Sequence, residues 1–202
     1  MEPASEFTDF SAALSALKAG EPVVFPTDTL YGLGVSIRDA GDPSVLFDLK
    51  QRPSGKPVAW LVSGVDDLAQ YGLDVPDFVF ALARTFWPGP LTIIVKASAA
   101  VPEPFRSSLG TIGLRCPKGE TALRLIRELG SPIATTSANL SGRRPPKRAD
   151  ELDPALCEQV AAVLVDPDEK SGIASTIIDC SQGHPVLVRE GSISIEDIQA
   201  RS

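Results

Sequence analysis

Short apolar runs, each closed by proline, glycine or a hydroxyl residue, alternate along this chain with stretches whose apolar residues recur at helical spacing. That alternation restricts the fold more than any other feature, because it calls for a sheet flanked by helices. Phe10, Ala13, Leu14 and Leu17 share one helical face, with Thr8 or Asp9 to cap the start and Gly20 the end. Residues 22–25, closed by Pro26, read as a buried strand feeding a loop from Thr27 to Gly34. Asp42 and Pro43 open a helix that runs through Lys50 and stops before Pro53. Further strands are expected over 58–62, 91–95, 111–115, 133–136, 161–165, 176–178 and 186–188, with helices over 77–86, 121–129 and 194–200. Several late strands follow one another through short connections, so the expected α/β sheet mixes parallel and antiparallel pairs.

Composition narrows the chemistry. With 202 residues, 43% hydrophobic and 22% charged, the chain fits one domain with a sizeable core, and two domains would be cramped. A net charge of -7 opposes broad contact with nucleic acid or anionic membranes, so an anion site must be local. The one histidine, His184, leaves no second imidazole for a paired-histidine metal site, and any Ser-His-Asp triad would have to use this ring. Cys116, Cys157 and Cys180 form no C-x-x-C pair, which points to a reducing cytoplasm rather than a disulfide framework or zinc clip. The first residues show no basic and apolar leader, and no apolar run reaches membrane-spanning length. The expectation is a protein neither exported nor embedded in a membrane.

Familiar nucleotide motifs are missing. Gly55-Lys56 lacks the upstream glycine of a P-loop and is followed by Pro57, and Gly32 with Gly34 gives only G-x-G, short of a dinucleotide fingerprint. Instead, cations and hydroxyls gather at strand ends. Thr27, Asp28, Thr29 and Tyr31 follow the first strand, Lys50 and Arg52 end a helix, and Arg115 ends the strand over 111–115. Thr135, Thr136, Ser137, Asn139, Ser141 and Gly142 combine many hydrogen-bonding groups with little bulk, while Ser175 begins a strand and Arg189 ends one. Each cluster alone reads as turn chemistry or as charges matched to a helix dipole. Their recurrence at strand ends, where α/β sheets bind ligands, reads as a site.

Six segments carry a more specific signal: PTDTLYGLG from Pro26, KQRP from Lys50, WPGPL from Trp87, LRCP from Leu114, TSAN from Thr136 and STIID from Ser175. In this order they resemble the YrdC/Sua5 family of threonylcarbamoyl-AMP synthases, over nearly the whole chain. The K-x-R and S-x-N residues associated with active members are complete as Lys50, Arg52, Ser137 and Asn139. Gln51 stands where many members have glycine. The resemblance implies a twisted open sheet of mixed parallel and antiparallel strands with flanking helices, as one YrdC-like domain over 1–202 with its core over about 8–191. The length accommodates the family's catalytic domain and leaves no room for the extra carboxyl-terminal domain of its long members, so the short form is expected.

The implied reaction converts ATP, L-threonine and bicarbonate to L-threonylcarbamoyl-AMP and pyrophosphate, for N6-threonylcarbamoyladenosine at position 37 of tRNA. Its nucleophile would be the ionised carboxylate of N-carboxy-threonine, so the transfer step needs no histidine base. By resemblance, Lys50, Arg52, Ser137 and Asn139 carry catalysis. Thr29, Lys56, Arg115, Thr135 and Ser175 contact threonine, and Thr111 and Arg189 join the catalytic four on the nucleotide side. Mg²⁺ arrives with ATP, and no tightly bound protein metal is expected. The product would pass to a threonylcarbamoyl transferase complex, with RNA binding weak at most. Arg143, Arg144, Lys147 and Arg148 read either as a solvated loop or as a lid over the triphosphate. The competing functions are an RNA-binding module, a paralogue without synthase activity, and a carbamoyl-adenylate-forming domain like that of hydrogenase maturation proteins.

Overall fold

Hydrophobic periodicity resolves into strands and helices over residues 8–51 and 58–201, the residues described by the computed structural model. In chain order the elements are α1 (Phe10–Lys18), β1 (Val23–Pro26), β2 (Tyr31–Ser36), α2 (Ser44–Leu49), β3 (Ala59–Leu61), α3 (Asp66–Tyr71), α4 (Asp77–Phe86) and β4 (Leu91–Lys96). There follow β5 (Thr111–Arg115), α5 (Glu120–Leu129), β6 (Ile133–Ser137), α6 (Pro154–Cys157), β7 (Ala162–Val163), β8 (Thr176–Asp179), β9 (Val186–Arg189) and α7 (Ile195–Gln199). Asp9 caps α1 by accepting from the Ala12 amide at 2.8 Å, and Gly130 ends α5 in the left-handed conformation that glycine favours.

The strands form a nine-stranded sheet in the order β7-β1-β2-β6-β3-β5-β4-β8-β9. Parallel pairs β1·β7, β3·β5 and β4·β8 are interspersed among antiparallel ones, so the expected mixed sheet with flanking helices is present.

The two faces differ. Val35, Ala134, Trp60, Leu114, Ile93 and Ile178 form one cross-strand row, completely buried in the larger core. That core also receives apolar residues of α2, α3, α4, α6 and α7. On the other face, α1 and α5 cover Val23, Phe25, Leu61 and Ile133. Beyond them the adjacent row of Thr135, Ala59, Gly113, Ile94 and Asp179 stays half-exposed. The sheet is thus roofed by helices on one face and only partly on the other, and the open part is the floor of a cleft.

Three local expectations need correction. Part of the expected loop from Thr27 to Gly34 is strand β2, paired with both β1 and β6. Its glycines pack closely: a Cβ on Gly34 would stand 2.6 Å from the Ile133 Cγ2. A strand so built hides its period-two pattern behind residues that ordinarily mark turns. Helix α3 was not expected, and only Ala162–Val163 of the strand expected over 161–165 pairs in the sheet.

Candidate active site

The β1–β2 connection, the start of β8, the end of β9 and the carboxyl ends of β5 and β6 converge on a cleft of about 400 Å³, within the range of small-ligand sites. Of the residues expected to act, Thr29, Lys50, Arg115, Thr135, Ser137, Asn139, Ser175 and Arg189 line it. Arg52 and Lys56 lie outside the described residues. Thr111 is not among the lining residues; it begins β5, at the end of the strand away from Arg115, and its hydroxyl meets that of Ser107 at 2.7 Å.

One wall is cationic. Arg115 is buried, with 7% exposure, and its guanidinium is gripped from three sides. Nε donates to the Gly89 carbonyl at 3.0 Å, Nη1 to Thr29 Oγ1 at 2.9 Å and Nη2 to Asp28 Oδ1 at 2.6 Å. Burial draws its pKa below the usual arginine range, and the charge of Asp28 pulls it back up. Arg189 donates through Nε and Nη2 to the Ser175 carbonyl, and through Nη2 to Ser175 Oγ at 3.2 Å. Although the residue as a whole is exposed, its guanidinium is partly desolvated against Ser175, which lowers its pKa, and the like charge of Arg115 lowers it further. Two guanidinium groups that repel one another in a cleft are relieved by an anion placed between them. Ser175 Oγ also meets Thr92 Oγ1 at 2.9 Å.

A second cluster lies where α2 meets the end of β6. The buried Lys50 Nζ donates to the Ser137 carbonyl at 2.5 Å, to the Asn139 carbonyl, and to Asn139 Oδ1 at 3.2 Å. Ser137 Oγ donates to the same Oδ1 at 2.5 Å, while Asn139 Nδ2 donates to the carbonyls of Leu140 and Arg143. The loop is seated from below, since the Ala138 amide donates to the Tyr31 carbonyl and the Ser141 amide to the Lys50 carbonyl. After Lys50 the chain turns sharply, with Gln51 at φ +50°. That is the left-handed region, where glycine is the residue without strain.

The structure also shows what the sequence left unmarked. Thr92, Ala59, Leu61 and Ile177 form the low floor, and Gly89, in a segment that reads as architecture, supplies a carbonyl to Arg115. Tyr31 points away: its ring is fully buried in the larger core, and its hydroxyl meets the Asp166 backbone at 3.4 Å. Of the four cations after Gly142, Arg143 and Arg144 are exposed, Lys147 pairs with Glu169, and Arg148 bonds Asp150 at 3.0 Å. The segment borders the cleft through Ser141, Gly142 and Pro145. Among the described residues, no group of three or more His, Cys, Asp or Glu is arranged to hold a metal ion, and no helix is long and apolar enough to cross a membrane.

Residues 15–191 match the Sua5/YciO/YrdC family, described by the words telomere recombination. A threonylcarbamoyl-AMP synthase of Pyrococcus abyssi is 33% identical, over 93% of this chain and 55% of its own length. A putative threonylcarbamoyl-AMP synthase of Mycobacterium tuberculosis is 34% identical, over 98% of this chain and 90% of its own. The crystal structure of P. abyssi Sua5 complexed with L-threonine superimposes with a TM-score of 0.85 at 33% identity, over 95% of this chain and 56% of that one. The chain therefore spans little more than half the length of the P. abyssi protein.

Proposed function

The chain belongs to the Sua5/YciO/YrdC family, and on that footing we propose that its cleft joins L-threonine, bicarbonate and MgATP to give L-threonylcarbamoyl-AMP and pyrophosphate. One observation carries the reading: a guanidinium pair, Arg115 with Arg189, and a lysine–amide–hydroxyl cluster, Lys50 with Asn139 and Ser137, line the same cleft. A substrate with an amino-acid carboxylate and a triphosphate needs two such anion-binding groups.

In this reading Arg115 takes the threonine carboxylate, with Thr29, Thr135 and Ser175 around the amino acid. Lys50, Ser137 and Asn139 face the phosphates, joined by Arg189; in the roles that the resemblance gives them, Arg52 and Thr111 belong to the nucleotide side and Lys56 to the threonine side. The threonine amine adds to the bicarbonate carbon, a C–O bond there breaks and water leaves, giving N-carboxy-threonine. Its carboxylate attacks the α-phosphorus, a carboxyl–phosphoryl bond forms, and the α–β bridging bond breaks with its electron pair leaving on pyrophosphate. The attacking group is already ionised at neutral pH, so the work is alignment and charge neutralisation. Lys50, with its ammonium beside three oxygens, fixes the S-x-N loop and supplies positive charge next to the departing pyrophosphate. Mg²⁺ enters as part of the nucleotide substrate.

The strands of the one sheet run from Val23 to Arg189, which supports reading the chain as one domain. The product then passes to a threonylcarbamoyl transferase complex for tRNA modification in the cytoplasm. Direct RNA binding is weak at most, given the net charge of -7. Pyrophosphate release tests the reaction: it should require threonine and bicarbonate together. ATP turnover indifferent to threonine would instead favour the paralogue without synthase activity.

A further inference from the structure

The geometry points to Asp28 as the positioning residue for Arg115, setting which guanidinium hydrogens face the cleft and so how tightly the amino-acid carboxylate is held. The inference rests on the reading above, in which Arg115 receives that carboxylate.

Asp28 lies in the short connection between β1 and β2, on a different part of the chain from Arg115, and the two side chains are only 17% and 8% exposed. Its Oδ1 accepts twice, from Arg115 Nη2 at 2.6 Å and from the Lys118 amide at 3.1 Å. One carboxylate oxygen therefore fixes both the guanidinium and the backbone just beyond β5. The turn beyond β5 is pressed onto the same connection: a Cβ on Gly119 would stand 3.1 Å from the Asp28 nitrogen and 3.2 Å from the Thr27 Cα. Gly89 and Thr29 take one hydrogen each from Nε and Nη1. With Asp28 taking one from Nη2, each terminal nitrogen keeps one N–H for a ligand.

A guanidinium held by neutral groups alone could rotate about its last torsions and present one N–H at a time. The charge-assisted bond to Asp28 is the shortest of the three and removes that freedom. Bidentate recognition of a carboxylate depends on such a fixed plane. Asp28 is thus a positioning residue, acting through Arg115 and not on the reacting atoms.

The test is Asp28→Asn in the full chain. It keeps the size and an acceptor for the Lys118 amide but removes the charge. Threonine affinity by calorimetry and threonine KM should weaken about tenfold, while the KM for ATP and kcat change by less than about threefold. The preference for L-threonine over L-threoninamide, which lacks the carboxylate, should fall by the same factor; a purely structural defect would weaken both ligands alike. In an Arg115→Lys background the same change at Asp28 should alter threonine affinity by less than about twofold, because no fork remains to be held. Should Asp28→Asn not fold, Asp28→Glu takes its place, with the threonine-to-threoninamide preference as the readout. A wild-type chain that binds and uses threonine, beside an Asp28 variant of unchanged threonine affinity and preference, overturns the role of Asp28 alone. A wild-type chain that binds no threonine overturns the functional reading and this inference together.

Discussion

Thr176 concentrates three backbone bonds on one hydroxyl. Its Oγ1 donates to the Ile193 carbonyl at 2.7 Å and accepts from the Gly191 and Ile193 amides, each at 3.0 Å. It is completely buried and adjoins Ser175 in the cleft wall. Thr176→Val keeps the shape and orphans three backbone groups, at about 1–3 kcal/mol for each that finds no water. Thermal unfolding should show a loss of at least about 2 kcal/mol, and a loss below about 0.5 kcal/mol would contradict this account of the bonds. At this scale the sequence was informative where the cleft is lined by polar side chains at the ends of elements, Arg115, Ser137 and Asn139 at or just beyond strand ends and Lys50 at a helix end. It was silent where the contribution is backbone, as with the Gly89 carbonyl on Arg115, since any residue carries that group. Asp28 falls between: it is visible as a carboxylate after a strand, and only the fold brings Arg115 to it.

Strands and helices were legible in proportion to how cleanly one face is buried. Helix α5 alternates Ala122, Leu125, Ile126 and Leu129 against polar neighbours, and it was expected almost to the residue. Strand β2 was not, because Gly32 and Gly34 occupy its cleft-side positions, where Phe25, Thr135 and Ile133 crowd in. Strand β9 raises a different point. All four of its residues are exposed, with Val186, Leu187 and Val188 at 45%, 37% and 56%, and among the described residues it pairs with β8 alone. An edge strand with no buried face opens at little free-energy cost, yet it carries Arg189 into the cleft. Amide exchange in β9 should be at least about tenfold faster than in β3 and β5, and should slow when a nonhydrolysable ATP analogue and threonine are added. Exchange in β9 as slow as in β3 would contradict this assignment of local stability.

Across the whole molecule, acidity and a cationic cleft coexist because the cleft cations are held locally, Arg115 and Arg189 by carbonyls and Asp28 on one wall and Lys50 by the Ser137 and Asn139 oxygens in the second cluster. The free thiols give a second molecular property. Cys116 and Cys180, at 1% and 2% exposure, are pushed up by burial to about 11 and about 12, from an ordinary 9.0. Folding favours the protonated thiol, so stability is unaffected below pH about 9. Between that and the folded-state values the unfolded chain binds fewer protons, and stability falls as pH rises, by about 1.4 kcal/mol per pH unit for each thiol. Urea midpoints followed from pH 8.5 to 10.5 should decline more steeply for the wild type than for a Cys116→Ala/Cys180→Ala variant. Parallel declines would show that these thiols do not set the alkaline limit.

The central claim, that one cleft assembles an adenylate from three substrates, is tested most directly by following carbon from labelled bicarbonate. With MgATP and L-threonine present, the account predicts label in a single product that contains both AMP and threonine, and no labelled adenylate when threonine is left out. Label entering an adenylate without threonine, or pyrophosphate forming from all three substrates with no labelled adenylate beside it, would contradict it.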